Sequence, residues 1–205
     1  MRNSAVDNLL HLGNIFSLEE NFPKLIEVKK KLVELLPDSS ECYVFLGHAY
    51  GHAEDYKNAI IAYKKGIELK EAVITSMLGI SLDEIYSEKF AKEHVYTNPN
   101  LTDLADYIVF LADSLNKLGE IVDSVECISR ALGIYEHLEW CKSYAFEVLG
   151  DIMCQYDKVG ALRAYQKAIE CHDKRGQDTH DNEYTYLCTG DKDELVKKIT
   201  EISKD

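Results

Sequence analysis

Tyr43-Val-Phe-Leu46-Gly47-His-Ala-Tyr50, followed by Ala59-Ile-Ile-Ala-Tyr63-Lys-Lys-Gly66 from Ala59 through Gly66, decides the fold of this chain. Large residues fall three or four apart in each half, so each half presents one apolar face as a helix. Gly47, Ala59 and Gly66 remove side-chain volume where two antiparallel helices approach, and Tyr43, Tyr50 and Tyr63 fill the space around them. His52-Ala53-Glu54-Asp55 has the length and polarity of a tight connection between them.

The pattern recurs in both directions. Leu12-Gly13, Leu46-Gly47, Leu78-Gly79, Leu111-Ala112 and Leu149-Gly150 are separated by 34, 32, 33 and 38 residues. A period in the thirties with helical patterning predicts stacked helix pairs that share a continuous core. The first copy reads Leu9-x-x-Leu12-Gly13-x-x-Phe16, with Pro37 closing its second helix. The fourth has Ile108, Leu111, Ala112 and Leu115, then Ser124, Ile128 and Ala131; the fifth has Phe146, Leu149, Gly150 and Met153, then Ala161, Tyr165 and Ala168, with a turn one residue shorter. The third, Leu78-Gly79-x-x-Leu82 with Ala91-x-x-x-Val95, is the most degraded, and Asn98-Pro99 cuts its second helix short.

These residues resemble the tetratricopeptide repeat, whose signature is a Trp-x-x-Leu-Gly-x-x-Tyr helix followed by an Ala-x-x-x-Phe helix and a terminal Pro. Tyr43 stands in the place of the Trp and Tyr63 in that of the Phe. The resemblance covers residues 5 to about 172 and implies an all-α fold, a right-handed superhelix of about five such pairs forming one solenoid domain. The expected repeats lie at about 5–37, 38–70, 71–99, 100–137 and 138–173, followed by a loop at 174–190 and a capping helix at 191–203. Asp38 with Glu41, and Asp191 with Glu194, have the spacing of capping boxes. Leu195, Val196, Ile199 and Ile202 give the last helix an apolar face to lay over the fifth pair.

Composition narrows the function. The 205 residues carry a net charge of −13, which sets the chain against phosphate and so against nucleic acid. No stretch approaches the ~18 apolar residues of a membrane span, and Met1-Arg2-Asn3-Ser4 leads into an amphipathic helix without a signal-peptide core. Six cysteines without a Cys-x-x-Cys pair read as free thiols, so a cytoplasmic protein is expected.

The resemblance also implies that first helices line a concave groove for a partner. Counted from each anchor Leu, the groove-facing positions include Asn14 in the first helix and Glu41, Phe45, His48 and His52 in the second. Met77 and Glu84 come from the third, Asp106, Phe110 and Asp113 from the fourth, and Glu147 and Asp151 from the fifth. Acidic residues prevail there, and Phe45, Met77 and Phe110 add apolar area, so a basic, amphipathic protein or peptide is the expected partner. The alternative is that Phe45 and Phe110 pack between adjacent repeats. Capture of a chaperone tail through a Lys, Asn and Arg clamp is not expected, because only Asn14 fits it while Leu10, Phe45, Val73 and Met77 fill the other places.

Enzymatic readings find little support. His48 and His52 are four apart on one face, a spacing that suits a metal ion, but lack the Glu of His-Glu-x-x-His and a third ligand. Cys171, His172, His180 and Cys188 match no metal pattern, and no phosphate loop or nucleophile elbow occurs. A non-enzymatic interaction module without cofactor or metal is expected. The remaining alternative is a self-associating structural subunit, using the aromatic neighbourhood of Trp140, Tyr144 and Phe146, although Trp140 also suits a buried plug at a turn.

Overall fold

The computed structural model describes residues 4–94, 97–136, 143–175 and 192–204. All regular elements among them are helices: α1 (Ser4–Leu18), α2 (Phe22–Leu35), α3 (Ser40–His52), α4 (Tyr56–Leu78), α5 (Leu82–Ile85), α6 (Glu88–His94), α7 (Pro99–Leu118), α8 (Ile121–Tyr135), α9 (Ser143–Met153), α10 (Lys158–Arg175) and α11 (Lys192–Ile202). The chain divides into two compact units, Met1–Gly79 and Ile80–Asp205. In the first, α1 pairs with α2 and α3 with α4, and α2 packs on α3. In the second, α7 pairs with α8 and α9 with α10; α9 lies against both α7 and α8, α6 against α8, and α11 against α10. The expected loop starts no earlier than residue 176. The rest of it, with Val95, Trp140, Cys141, His180, Cys188 and the Asp191 cap, lies outside the described residues.

The turns within pairs follow one geometry. Glu20 and Glu54 have φ of 53° and 57°, and Gly119 has φ of 85°, each eight residues after its anchor Leu. The next amide then reaches back to the carbonyl five residues earlier: Asn21 to Phe16 at 2.8 Å, Asp55 to Tyr50 at 2.9 Å and Glu120 to Leu115 at 2.9 Å. This is the Schellman closure, which satisfies carbonyls at the helix end and turns the chain sharply. The fifth pair, shorter by one residue, instead closes from the Asp157 amide to Met153 at 2.7 Å. The cap of α3 is shifted from expectation: Ser39, not Asp38, accepts the Cys42 amide at 3.3 Å, because its hydroxyl sits at the helix entry.

Small residues set the helix separation. A Cβ built on Gly47 would lie 2.5 Å from the Tyr63 ring, and one on Gly150 2.4 Å from the Tyr165 ring. Tyr63 and Tyr165 are 3% and 2% exposed, so ring and bare backbone are in full contact. In the α7–α8 pair Ala112 replaces the glycine and Ile128 the tyrosine; both are fully buried, and Ser124 Oγ donates to the Ala112 carbonyl at 2.6 Å. Volume added on one side is thus removed on the other. In the first pair Lys29 occupies the aromatic place, its Nζ 3.1 Å from where a Gly13 Cβ would lie.

The third pair departs from expectation. Leu78-Gly79 is not the middle of a first helix: α4 runs on for 23 residues, and Gly79, at φ 67°, is its left-handed C-cap. Nothing between Ile67 and Leu78 breaks a helix, and Ile74 in that extension is fully buried. The short α5 and α6 follow, with Phe90 and Ala91 buried. Asn98 then caps α7, accepting the Asn100 amide at 3.1 Å, with Pro99 in the first turn. Among the described residues no helix is long and apolar enough to cross a membrane.

Replacing Gly47 with alanine tests the ring contact. The Tyr63 hydroxyl is anchored, so the ring cannot swing away, and overpacking of about 1–3 kcal/mol outweighs the ~1 kcal/mol that alanine gains in helix propensity. Gly133 in α8 has open space where a Cβ would go. Urea unfolding is therefore expected to show Gly47→Ala destabilised by up to about 2 kcal/mol and Gly133→Ala stabilised by about 0.5–1 kcal/mol.

Candidate interaction face

The residues expected to line a groove fall into several environments. Some bind their own second helix. Glu41 accepts from Lys70 Nζ at 2.9 Å, and Asp106 accepts from the Tyr135 hydroxyl. Both contacts span 29 residues and join the same two places of the repeat, tying the start of the first helix to the end of the second. Burial opposes ionisation of Glu41, yet hydrogen bonds from Lys70 and the backbone, with the Lys70 charge and Ser39, outweigh it and hold the carboxyl below its ordinary value.

The residue two places after the anchor Leu meets the tyrosine of the second helix. His48 Nδ1 lies 2.9 Å from the Tyr63 hydroxyl, and the Tyr165 hydroxyl donates to Asp151 Oδ1 at 2.6 Å. Burial, then the charges of His52 and Lys29, push the His48 imidazole down to about 3, so it stays neutral. His52 is turned elsewhere, stacked on Phe22 with ring centroids 5.7 Å apart and planes at 12°. His48 and His52, four apart on α3, thus meet two different aromatic partners. In the α7–α8 pair, where Ile128 offers no hydroxyl, Asp113 turns to Lys117 at 2.9 Å.

The aromatic residues pack between helices. Phe110 is 8% exposed and meets Tyr144 with centroids 5.8 Å apart, joining α7 to α9. Phe45 is half-buried under the Lys29 ammonium, 5.0 Å from its centroid. Burial draws the Lys29 pKa below its ordinary value. Asn14 on α1, Met77 near the end of α4 and Glu84 in α5 are exposed.

In the fifth pair another helix enters an acidic cluster. Lys198 of α11 places Nζ 2.9 Å from Glu147 Oε1 and 2.8 and 2.9 Å from the two Asp151 oxygens. Leu195 of α11 is fully buried against Ala161, Tyr165 and Ala168, with Ile199 and Ile202 beside it. Burial opposes the Lys198 charge, but Asp151 and Glu147 prevail and raise its pKa to about 12. Glu147, 7% exposed, is held above the ordinary carboxylate range by burial; Lys198 pulls against that shift while Asp151 and Glu194 add to it. Its Oε2 is buried with no hydrogen-bond partner among the described residues. Lys198 was absent from the expected face, and so was Lys29. Register alone marks Lys29, 17 residues after Leu12, where the next pair has Tyr63.

The neutral His48 makes a pH prediction. Its unfolded pKa is near ~6.5 and its folded value lies far lower, so the unfolded chain binds more protons and stability is lost as pH falls through that window. Urea unfolding at about pH 7 and about pH 4.5 should show a loss on acidification that is clearly smaller in His48→Gln, which keeps a partner for Tyr63 without titrating. An equal loss in both chains would remove His48 as the cause.

A tetratricopeptide-repeat family model matches residues 40–73, which are α3 and most of α4. The search of curated proteins found no match. Among solved structures, the crystal structure of BtubC from P. vanneervenii is 14% identical, with 97% of this chain and 72% of that chain covered and a TM-score of 0.62. A crystal structure of MamA protein is 17% identical over 98% of this chain and 91% of that one, with a TM-score of 0.54. A second MamA crystal structure is 16% identical over 94% and 92%, at 0.51. At these identities the likeness is one of fold. The chain therefore carries a tetratricopeptide repeat at residues 40–73 and, with it, further helix pairs of the same all-α architecture.

Proposed function

We propose that this chain is a non-enzymatic protein-interaction module, an adaptor whose second unit takes a basic, amphipathic segment against the acidic face of its first helices. The observation that carries this reading is Lys198, seated at 2.8–2.9 Å from Glu147 and Asp151 with Leu195 buried beside it. A helix with an apolar face and a cation in register is the ligand chemistry that such a face accepts. The most reactive groups serve the fold instead: His48 and Tyr63 bond each other, and Tyr165 bonds Asp151. A net charge of −13 favours a basic polypeptide over nucleic acid, and the free thiols of Cys42, Cys127, Cys154 and Cys171 fit a cytoplasmic setting.

Affinity capture from a native lysate, repeated with the Glu84→Lys and Asp113→Lys double variant, tests the charge requirement. Glu84 is exposed and Asp113 half-buried beside Lys117, so reversal spares the core. Loss of the basic partners from the variant is expected, with recovery weakened further by raised salt. Recovery of the same proteins by both chains would remove the acidic face from the reading.

A second reading, a self-associating structural subunit, is favoured by α1, on which Leu12 is 42% and Leu18 87% exposed. Light scattering over a concentration series separates the two, since one chain's mass at every concentration excludes self-association.

A further inference from the structure

We infer that Glu147 and Asp151 on α9 form a subsite for an arginine-bearing amphipathic helix, and that α11 is the exchangeable resident of that subsite, holding it with a lysine. This rests on the interaction reading above and names the partner's chemistry.

Hydrogen-bond arithmetic carries the inference. Two carboxylates converge here, and a lysine ammonium has three N–H donors. Among the described residues the hydrogen bonds of Lys198 Nζ go to Glu147 Oε1 and the two Asp151 oxygens. The fourth oxygen, Glu147 Oε2, is buried and receives no bond among the described residues, although Glu147 is only 7% exposed. A buried carboxylate oxygen without a donor is costly. A guanidinium carries five donors in a planar fork that matches a carboxylate edge on, donors enough for both Glu147 oxygens and for Asp151. The resident side chain is therefore not the one that satisfies the subsite best.

The rest of the surroundings favours a cation in the same place. Tyr165 donates to Asp151 Oδ1 at 2.6 Å and presents its ring 5.7 Å from Lys198 Nζ, while the carboxylate of Glu194 adds negative field. Cys154 Sγ lies 3.2 Å from the Tyr165 hydroxyl and fixes it from the other side. Leu195, Lys198, Ile199 and Ile202 follow a spacing of three, four and seven residues along one face of α11. An incoming helix with the pattern apolar-x-x-Arg-apolar-x-x-apolar would meet the same apolar seat and the same carboxylates.

The test uses the full chain and three fluorescent peptides with the sequence of residues 192–204: native, Lys198→Arg and Lys198→Gln. Fluorescence anisotropy is expected to show the arginine peptide binding about tenfold tighter than the native one, with the glutamine peptide weakest. A full chain carrying Lys198→Ala, whose resident is weakened, should bind both cationic peptides more tightly, and Glu147→Gln should abolish the preference for arginine. Where Lys198→Ala disturbs folding, Ile202→Ala loosens α11 without touching a charge and must give the same gain. Independently, Lys198→Arg in the full chain should slow amide exchange within α11. Equal affinity for arginine and lysine peptides, no binding to either loosened chain, or faster exchange in Lys198→Arg would overturn the inference. Charge-dependent capture of a partner alongside indifference to these peptides would sink the exchange of α11 and leave the interaction reading standing.

Discussion

Contact between a tyrosine ring and a helix backbone that lacks a Cβ is the constraint on which both units depend. Gly47 against Tyr63 and Gly150 against Tyr165 fix how closely the helices of a pair approach. The same contact delivers a hydroxyl to a fixed place on the first helix. There it meets His48 in one pair and Asp151 in the other, and the environment decides the chemistry: a neutral imidazole in the first case, an oriented carboxylate in the second. Asp151, held by Tyr165, is then in position for Lys198. Packing, orientation and electrostatics follow one another from a missing methyl group.

The departures support this view. Ala112 with Ile128 keeps the sum of volumes while removing the hydroxyl, and Asp113 answers by pairing along its own helix with Lys117. Gly13 with Lys29 replaces a ring by an aliphatic stem, which brings an ammonium over Phe45. Each pair solves the same spacing problem with a different chemical consequence, so the exposed face of one pair is not a copy of its neighbour.

Much of the fold was legible because periodicity reports one-dimensional spacing. The helix pairs, the one-residue shortening of the fifth turn and the amphipathic last helix could be read from anchor positions. The third pair could not, because Leu-Gly marks a close helix approach in Leu46-Gly47 and a left-handed helix end in Leu78-Gly79. Only the uninterrupted helix former run before Gly79 separates the two meanings. Of the candidate face, the positions were legible but their partners were not. Glu41 and Asp106 look free in sequence, whereas each bonds a residue 29 places later, Lys70 and Tyr135, at the same two places of the repeat. Comparing the pairs with one another at that offset is the signal that finds such contacts.

The burial of Leu195 has a consequence for synthesis. The seat formed by Ala161, Tyr165 and Ala168 receives its last fully buried member from a helix that leaves the ribosome well after them. At an elongation rate of about 5–20 residues per second, that strip of apolar surface stays uncovered for seconds on every nascent chain. The α9–α10 hairpin thus emerges with its apolar seat open, and only α11 closes it.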